Sequence, residues 1–419
     1  MILKELLERN GVETAGCETS FLTTPVMPFF LEKEYLRRSC ALAEIPADLT
    51  EETLAFADEL RQTPLLKSLA WHLYRLFCVM PNFKAFPDHI DATGEKTGIL
   101  YLIIMLSLHP HLKPRMELEG LPSELADRAM PRCTSLLGNR SVCYPGEKGL
   151  QGRALPFMLN YKNSSCFRIG RFDYVLTPTP GNYPELFRHR QSRRYVGLCR
   201  ANWRVDQENA LHNYDDESVP PIGIKEENNT ITGRKIDLVT GKITSEEVTL
   251  DLAEYERLLG PDSNVLLIHI PGGGGMTMET CKESFIQARE FCRKYYPEIK
   301  FSVFGCISWV FNPAWREYLP DSNLAKLQKG TLAFPTYSIS PRNGIYFVFA
   351  RDDGDPSTYP ADNSLRRAMI KAWNEKGSLG SAGMLLPLDE IENFPLAEEV
   401  ISKVIQKMAK MSFAKSCKG

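Results

Sequence analysis

Residues 264–318 read NVLLIHIPGGGGMTMETCKESFIQAREFCRKYYPEIKFSVFGCISWVFNPAWREY. An apolar run leads into four bare glycines, then into a segment with apolar residues every three or four positions. A second apolar run follows, and a short segment opens on Asn312-Pro313. The pattern predicts strand, glycine loop, amphipathic helix, strand and short capped helix. Pro271 has no N–H to give to a ladder and ends the first strand. Thr277 is the expected N-cap, with Glu279 in the first turn. Met278, Cys281, Phe285, Ala288, Cys292 and Tyr295 form a stripe that packs on a sheet, while Lys282, Glu283, Gln287, Glu290, Arg293 and Lys294 face water. Pro297 closes the helix. A helix of crossover length between two strands implies a parallel pair.

One or two glycines satisfy the dihedral demands of a turn. The run Gly272, Gly273, Gly274, Gly275 also keeps side chains away from an approaching ligand. With Met276 and Thr277 it offers unclaimed backbone N–H groups at the positive end of a helix dipole, a place that binds phosphate-like anions. The plainer alternative is a turn that only reverses the chain. No Lys-Ser/Thr pair follows the glycines, which excludes the NTPase phosphate loop. Thr277 stands where the dinucleotide fingerprint needs its third glycine.

The rest of the chain bounds this reading. Its 419 residues suggest two domains, and 43% apolar with 24% charged residues is an ordinary globular composition. A net charge of -2 gives no global pull toward nucleic acid or an anionic membrane. Eleven cysteines show no CxxC pair and no zinc-like Cys/His spacing, so reduced thiols and a cytoplasmic location are expected. The opening MILKELLERNG reads as a helix start and not as a leader. The most apolar run, Ile99 to Leu108, is too short to span a bilayer.

Apolar spacings of three and four predict helices over the first ~160 residues, with a break or restart at Pro64. Further helices are expected over 98–108, from Pro122, and over 150–161. From Cys166 the period changes. FRIGRFDYVL, RRYVGLCRANWRV, NTITGRKIDL and TSEEVTLDL read as strands, and Val239–Lys242 as a hairpin turn. Residues 206–229 read as an acidic surface loop. Helices are expected over 362–376 and from Pro395 to about Met411. The fold class is therefore α+β: a helical domain over 1–163, then a mixed sheet flanked by helices over 164–419.

This order of elements resembles the GNAT acyltransferases. More closely, the stretches RIGRFDY, LLIHIPGGGGMT, CISWVFNPAWREYLPDSNLAKLQ and SLRRAMIKAWNEKG resemble bacterial proteins that carry a helical N-acyltransferase-like domain before a GNAT-like C-terminal domain. The superfamily turn, usually [QR]xxGx[GA], lacks its leading Gln or Arg here. The resemblance implies acyl-CoA as co-substrate, acetyl or longer, with its diphosphate on the loop amides and no metal. The acceptor it implies is an amine of a small molecule or peptide, acylated directly in a ternary complex.

Such a transfer needs a base, an oxyanion contact and an acid for the leaving thiolate. The resemblance makes Tyr318, on the short helix, the candidate acid. His269, beside the loop, is the candidate base, and strand alternation places it with Val265 and Leu267. Backbone groups of Leu267, Ile268, His269 and Ile270 are the candidate oxyanion contacts. Ser308 is a candidate lining residue where the two strands splay, and Asn312 caps the short helix. Cys306 reads as a structural thiol. The arginines from Arg188 to Arg204 read as a solvated edge or as a 3′-phosphate contact. The rival reading is a non-catalytic CoA-binding protein on the same scaffold. Aminoacyl transfer from tRNA fits poorly with the near-neutral charge.

Overall fold

The computed structural model describes residues 2–81, 83–273, 275–338 and 340–396. The chain divides into two compact units, Met1–Arg168 with Pro271–Gly273, and Ile169–Ile270 with Gly274–Gly419. The helix expected beyond Pro395 lies, after Leu396, outside the described residues.

The first unit is helical: α1 (Ile2–Arg9), α2 (Cys17–Leu22), α3 (Lys33–Leu42), α4 (Ala47–Gln62), α5 (Pro64–Tyr74), α6 (Thr97–Leu106), α7 (His109–Leu118), α8 (Glu124–Ala129), α9 (Gly138–Cys143) and α10 (Leu159–Lys162). Pro64 takes the first turn of α5, where its missing N–H costs nothing. Pro110 does the same in α7. Every residue of α6 is buried, as a helix apolar on all sides requires. The segment 150–161 forms two short 3₁₀ turns and the start of α10, broken by Pro156.

A buried polar knot ties α2 to α5. The His72 imidazole sets Nε2 2.8 Å from the Glu13 carbonyl and Nδ1 2.8 Å from the Ser20 hydroxyl. With Nε2–H donating to the carbonyl, Nδ1 must stay unprotonated. Burial holds His72 below its ordinary value of 6.5, and His111 likewise. Above 6.5 the histidines are neutral whether the chain is folded or not, and their contribution is fully present. Below it the unfolded chain takes up protons that the fold refuses, so stability falls with falling pH. Urea midpoints followed by circular dichroism from pH 7.5 to 5 are expected to decline, and less steeply in His72→Gln. An equal decline in both would contradict this assignment.

Strand β1 (Cys166–Ile169) straddles the boundary at Arg168, and the second unit carries β2 (Phe172–Pro178), β3 (Glu185–His189), β4 (Tyr195–Leu198), β5 (Lys225–Glu227), β6 (Thr230–Asp237), β7 (Lys242–Asp251), β8 (Tyr255–Leu259) and β9 (Asn264–His269). Then come α11 (Met278–Tyr295), β10 (Phe301–Ser308), α12 (Ala314–Tyr318), α13 (Asn323–Lys329), β11 (Leu332–Pro335), α14 (Ile345–Phe349), α15 (Ser364–Lys376) and β12 (Ala382–Pro387). One sheet runs β1-β2-β9-β10-β12-β11, and a second runs β5-β6-β4-β3-β8 with β7 on β6. Strands β9 and β10 are parallel, joined by α11 as its length requires. The β6–β7 hairpin closes at Asp237↔Lys242.

The apolar stripe of α11 meets the first sheet through Phe285. Its ring packs on Phe172, Phe304 and Phe394 with centroids 5.1–5.4 Å away. Burying such a side chain contributes roughly 2–3 kcal/mol.

GIYFVFA forms the short helix α14, set between Gly344 at φ 87° and Ala350 at φ 57°, left-handed positions that no strand tolerates. The ring of Trp309 packs so closely on Gly344 that a Cβ there would lie 2.7 Å from it. The solvated-edge reading of the arginines of 188–204 is corrected in part: Arg190 and Arg193 are exposed, but Arg188 and Arg200 are buried and tied into the fold. Arg188 pairs with Glu256 and Asp389, and Arg193 with Asp389 at 2.8 Å. Arg200 donates to the Pro180 carbonyl at 3.0 Å, and Arg204 to those of Tyr214 and Val219 at 2.8 and 2.6 Å.

Candidate active site

The parallel strands part company at their C-terminal ends. Pairing between β9 and β10 runs from Asn264↔Phe301 to Leu267↔Gly305 and stops. Beyond that point β9 stays with β2, through Ile268↔Tyr174 and His269↔Asp173. Meanwhile β10 stays with β12 as far as Ser308↔Ala382. A wedge therefore opens between Ile268–His269 and Cys306–Ser308, and among the described residues no ladder bridges it. Such a gap at the carboxyl ends of parallel strands is where open α/β sheets take ligands.

The glycine loop leaves β9 at this end. Gly273, at φ 73°, is the one described loop residue whose backbone demands glycine. Among the described residues, a Cβ on Gly275 would meet nothing within 4 Å, and one on Gly272 only Ser135, no nearer than 3.8 Å. The protein's own packing thus leaves these two positions open. No described residue accepts a hydrogen bond from the N–H groups of Gly272, Gly273, Gly275, Met276 or Thr277. The Thr277 hydroxyl caps α11 by accepting from the Thr280 N–H at 3.2 Å. The Gly275 carbonyl is held by Arg171 Nε at 3.0 Å.

His269 ends β9 and is exposed. The antiparallel register puts Asp173 directly opposite, so the two side chains share a face of the sheet. Asp173 is wholly buried and His269 exposed, so it is the register that relates the two. Asp173 escaped the sequence reading, because only the register of β2 on β9 reveals it.

On the other lip, the Ser308 hydroxyl accepts from the Val310 N–H at 3.2 Å and caps the 3₁₀ turn Trp309–Phe311. Asn312 accepts from the Ala314 N–H at 2.9 Å and donates to the Gly380 carbonyl at 2.9 Å, fixing the start of α12. Tyr318 donates its hydroxyl to Glu375 on α15, with the ammonium groups of Lys371 and Lys376 5.1 and 5.2 Å from its ring centre. That hydrogen bond pushes the phenol up to about 12. Cys306 is buried and its thiol is pushed up to about 12, which keeps it protonated and inert. Among the described residues no His/Cys/Asp/Glu group is arranged to hold a metal, and no helix is long and apolar enough to cross a membrane.

Residues 166–385, more than half of the chain, match the family described as the GNAT-like C-terminal domain. The chain belongs to the GNAT-like C-terminal domain family. Among solved structures, this GNAT-like chain is similar to an acyltransferase in complex with decanoyl-CoA and teicoplanin, at TM-score 0.59 and 18% identity over 92% of this chain and 99% of the other. A mutant acyltransferase in complex with octanoyl-CoA gives 0.59 and 17% over the same shares. An acyltransferase in complex with CoA and 10C-teicoplanin gives 0.58 and 17%, again over 92% and 99%. At these identities the likeness establishes a shared fold, and it extends through the helical unit as well as the GNAT-like one. Comparison with curated protein sequences gives no match.

Proposed function

We propose that this protein is an acyl-CoA-dependent acyltransferase that delivers its acyl group to an amine of a small molecule or peptide. The observation that carries this reading is the pairing of the Gly275, Met276 and Thr277 amides, which no described residue claims, with a strand wedge at the same end of β9. The acyl-CoA species held by proteins of the same fold support it. In this reading the amides from Gly272 to Thr277 take the diphosphate, and the acyl-pantetheine arm lies in the wedge. Ser308 lines the opposite lip, and Asn312 keeps α12 in place behind it. The amine nitrogen attacks the thioester carbonyl, and the oxyanion is met by a backbone N–H of the segment Leu267–Ile270. The C–S bond then breaks, the amine has lost one proton, and the thiolate gains one. His269, flanked by Asp173, is the base. A cytoplasmic location belongs to the same proposal, as does the division into a helical domain over 1–163 and an acyltransferase domain over 164–419.

Tyr318 as the acid faces a barrier. A phenol near 12 is a weaker acid than an ordinary thiol near 8.5, so it protonates a thiolate readily only after its hydroxyl leaves Glu375. Tyr318→Phe is therefore expected to lower kcat less than about tenfold, below the usual range for a lost general acid. A loss of about a thousandfold in steady-state kinetics would restore Tyr318 as the principal acid.

Titration with CoA, acetyl-CoA and longer acyl-CoAs tests the proposal. At 100 times its dissociation constant a ligand stabilises the fold by about 2.7 kcal/mol, visible as a thermal shift. No heat and no shift with any of them would contradict the reading. A CoA-binding protein without turnover is the second reading, favoured by the engagement of Ser308 and Tyr318 with partners inside the fold. Binding without thioester consumption across an amine panel would select it.

A further inference from the structure

The loop is steadied from the β1–β2 hairpin. Gly170, at φ 58°, turns the chain so tightly against α11 that a Cβ would lie 3.0 Å from Ser284. That contact carries a buried hydrogen-bond knot. The Ser284 hydroxyl donates to the Ile169 carbonyl at 2.6 Å and accepts from the Arg171 N–H at 3.1 Å. Its proton is then committed, so the Tyr174 hydroxyl, 2.9 Å away, is the donor to it. Ser284 and Tyr174 are fully buried. The backbone of Arg171 is therefore fixed, and from it the guanidinium reaches the Gly275 carbonyl at 3.0 Å.

A trans peptide is planar, and its N–H points away from its C=O. Fixing the Gly275 carbonyl on Arg171 therefore turns the Met276 N–H to the opposite side, away from the guanidinium. We propose that Arg171 is a positioning residue of the diphosphate cradle. It clamps the 275–276 peptide so that the Met276 N–H is presented to the ligand, and it sets a permanent positive charge beside the loop. This inference rests on the acyl-CoA reading above. Neither the glycine motif nor the superfamily turn points to Arg171, which lies 104 residues from Gly275 in sequence.

The test compares CoA with pantetheine, which keeps the thiol arm and lacks the diphosphate, on the full-length chain by calorimetry and thermal shift. Arg171→Gln is expected to weaken CoA about tenfold or more, the worth of a charge-assisted hydrogen bond. Pantetheine affinity and the ligand-free melting temperature should stay where they are. Arg171→Lys keeps the charge without the fixed Nε–H and should fall between wild type and Arg171→Gln; it serves as the test if Arg171→Gln does not fold. Wild-type CoA affinity in both variants, or an equal loss of CoA and pantetheine, would overturn the proposal. Failure of the wild-type protein to bind CoA would instead remove the acyl-CoA reading on which it stands.

Discussion

Gly275→Val is expected to abolish detectable CoA binding, by about 100-fold or more, while leaving the fold intact. The two halves of this expectation have separate causes. A Cβ at Gly275 meets no atom of the described residues within 4 Å, and its φ is not in the left-handed region. A side chain there is a surface substitution, and such changes usually alter stability by about 0.5 kcal/mol or less. The same branched side chain would stand beside the N–H groups of Gly275 and Met276. A diphosphate kept from two such donors loses roughly 3 kcal/mol or more, since hydrogen bonds to charged groups contribute about 1.5–3 kcal/mol each. Gly273→Val would be a poorer probe, because φ 73° adds about 1–2 kcal/mol of backbone strain to the occlusion. Calorimetric titration with CoA beside a ligand-free melt separates the terms. Wild-type affinity in Gly275→Val would mean that the diphosphate lies elsewhere.

His269→Gln is expected to lower kcat by about 10²–10⁴, the usual range for a lost general base, with CoA affinity within about twofold. The side chain ends β9 next to the wedge, and the substitution leaves its backbone N–H in place for the oxyanion. Asp173→Asn should lose less, because Asp173 acts through His269. A kcat for His269→Gln within about threefold of wild type would remove histidine from the reaction and leave water or the acceptor's own groups to carry the proton.

How far the sequence could be read follows from the range of each interaction. The unit from β9 to β10 was legible because its signals are local: Pro271 ends a strand, Thr277 caps a helix, and the stripe of α11 repeats every three or four residues. Pro64 at the head of α5 is another case of the same kind. What stayed hidden depends on register and on distant partners. The wedge exists because β9 keeps β2 while β10 keeps β12, and β12 is about 75 residues further on. Asp173, Arg171 and Ser284 join the site through pairings of more than 90 residues' separation, which no periodicity announces. Arg188 looked solvated because its partners Glu256 and Asp389 lie 68 and 201 residues away. Tyr318 carried the right residue type at about the right place, yet its hydroxyl is governed by Glu375, 57 residues on.

The most direct measurement is a crystal structure of the chain soaked or co-crystallised with CoA. The account expects diphosphate oxygens about 2.7–3.2 Å from the N–H groups of Gly272–Met276, with the thiol arm entering the gap between Ile268 and Ser308. Well-defined CoA bound away from that loop, or loop amides turned onto the protein's own carbonyls in the complex, would contradict it.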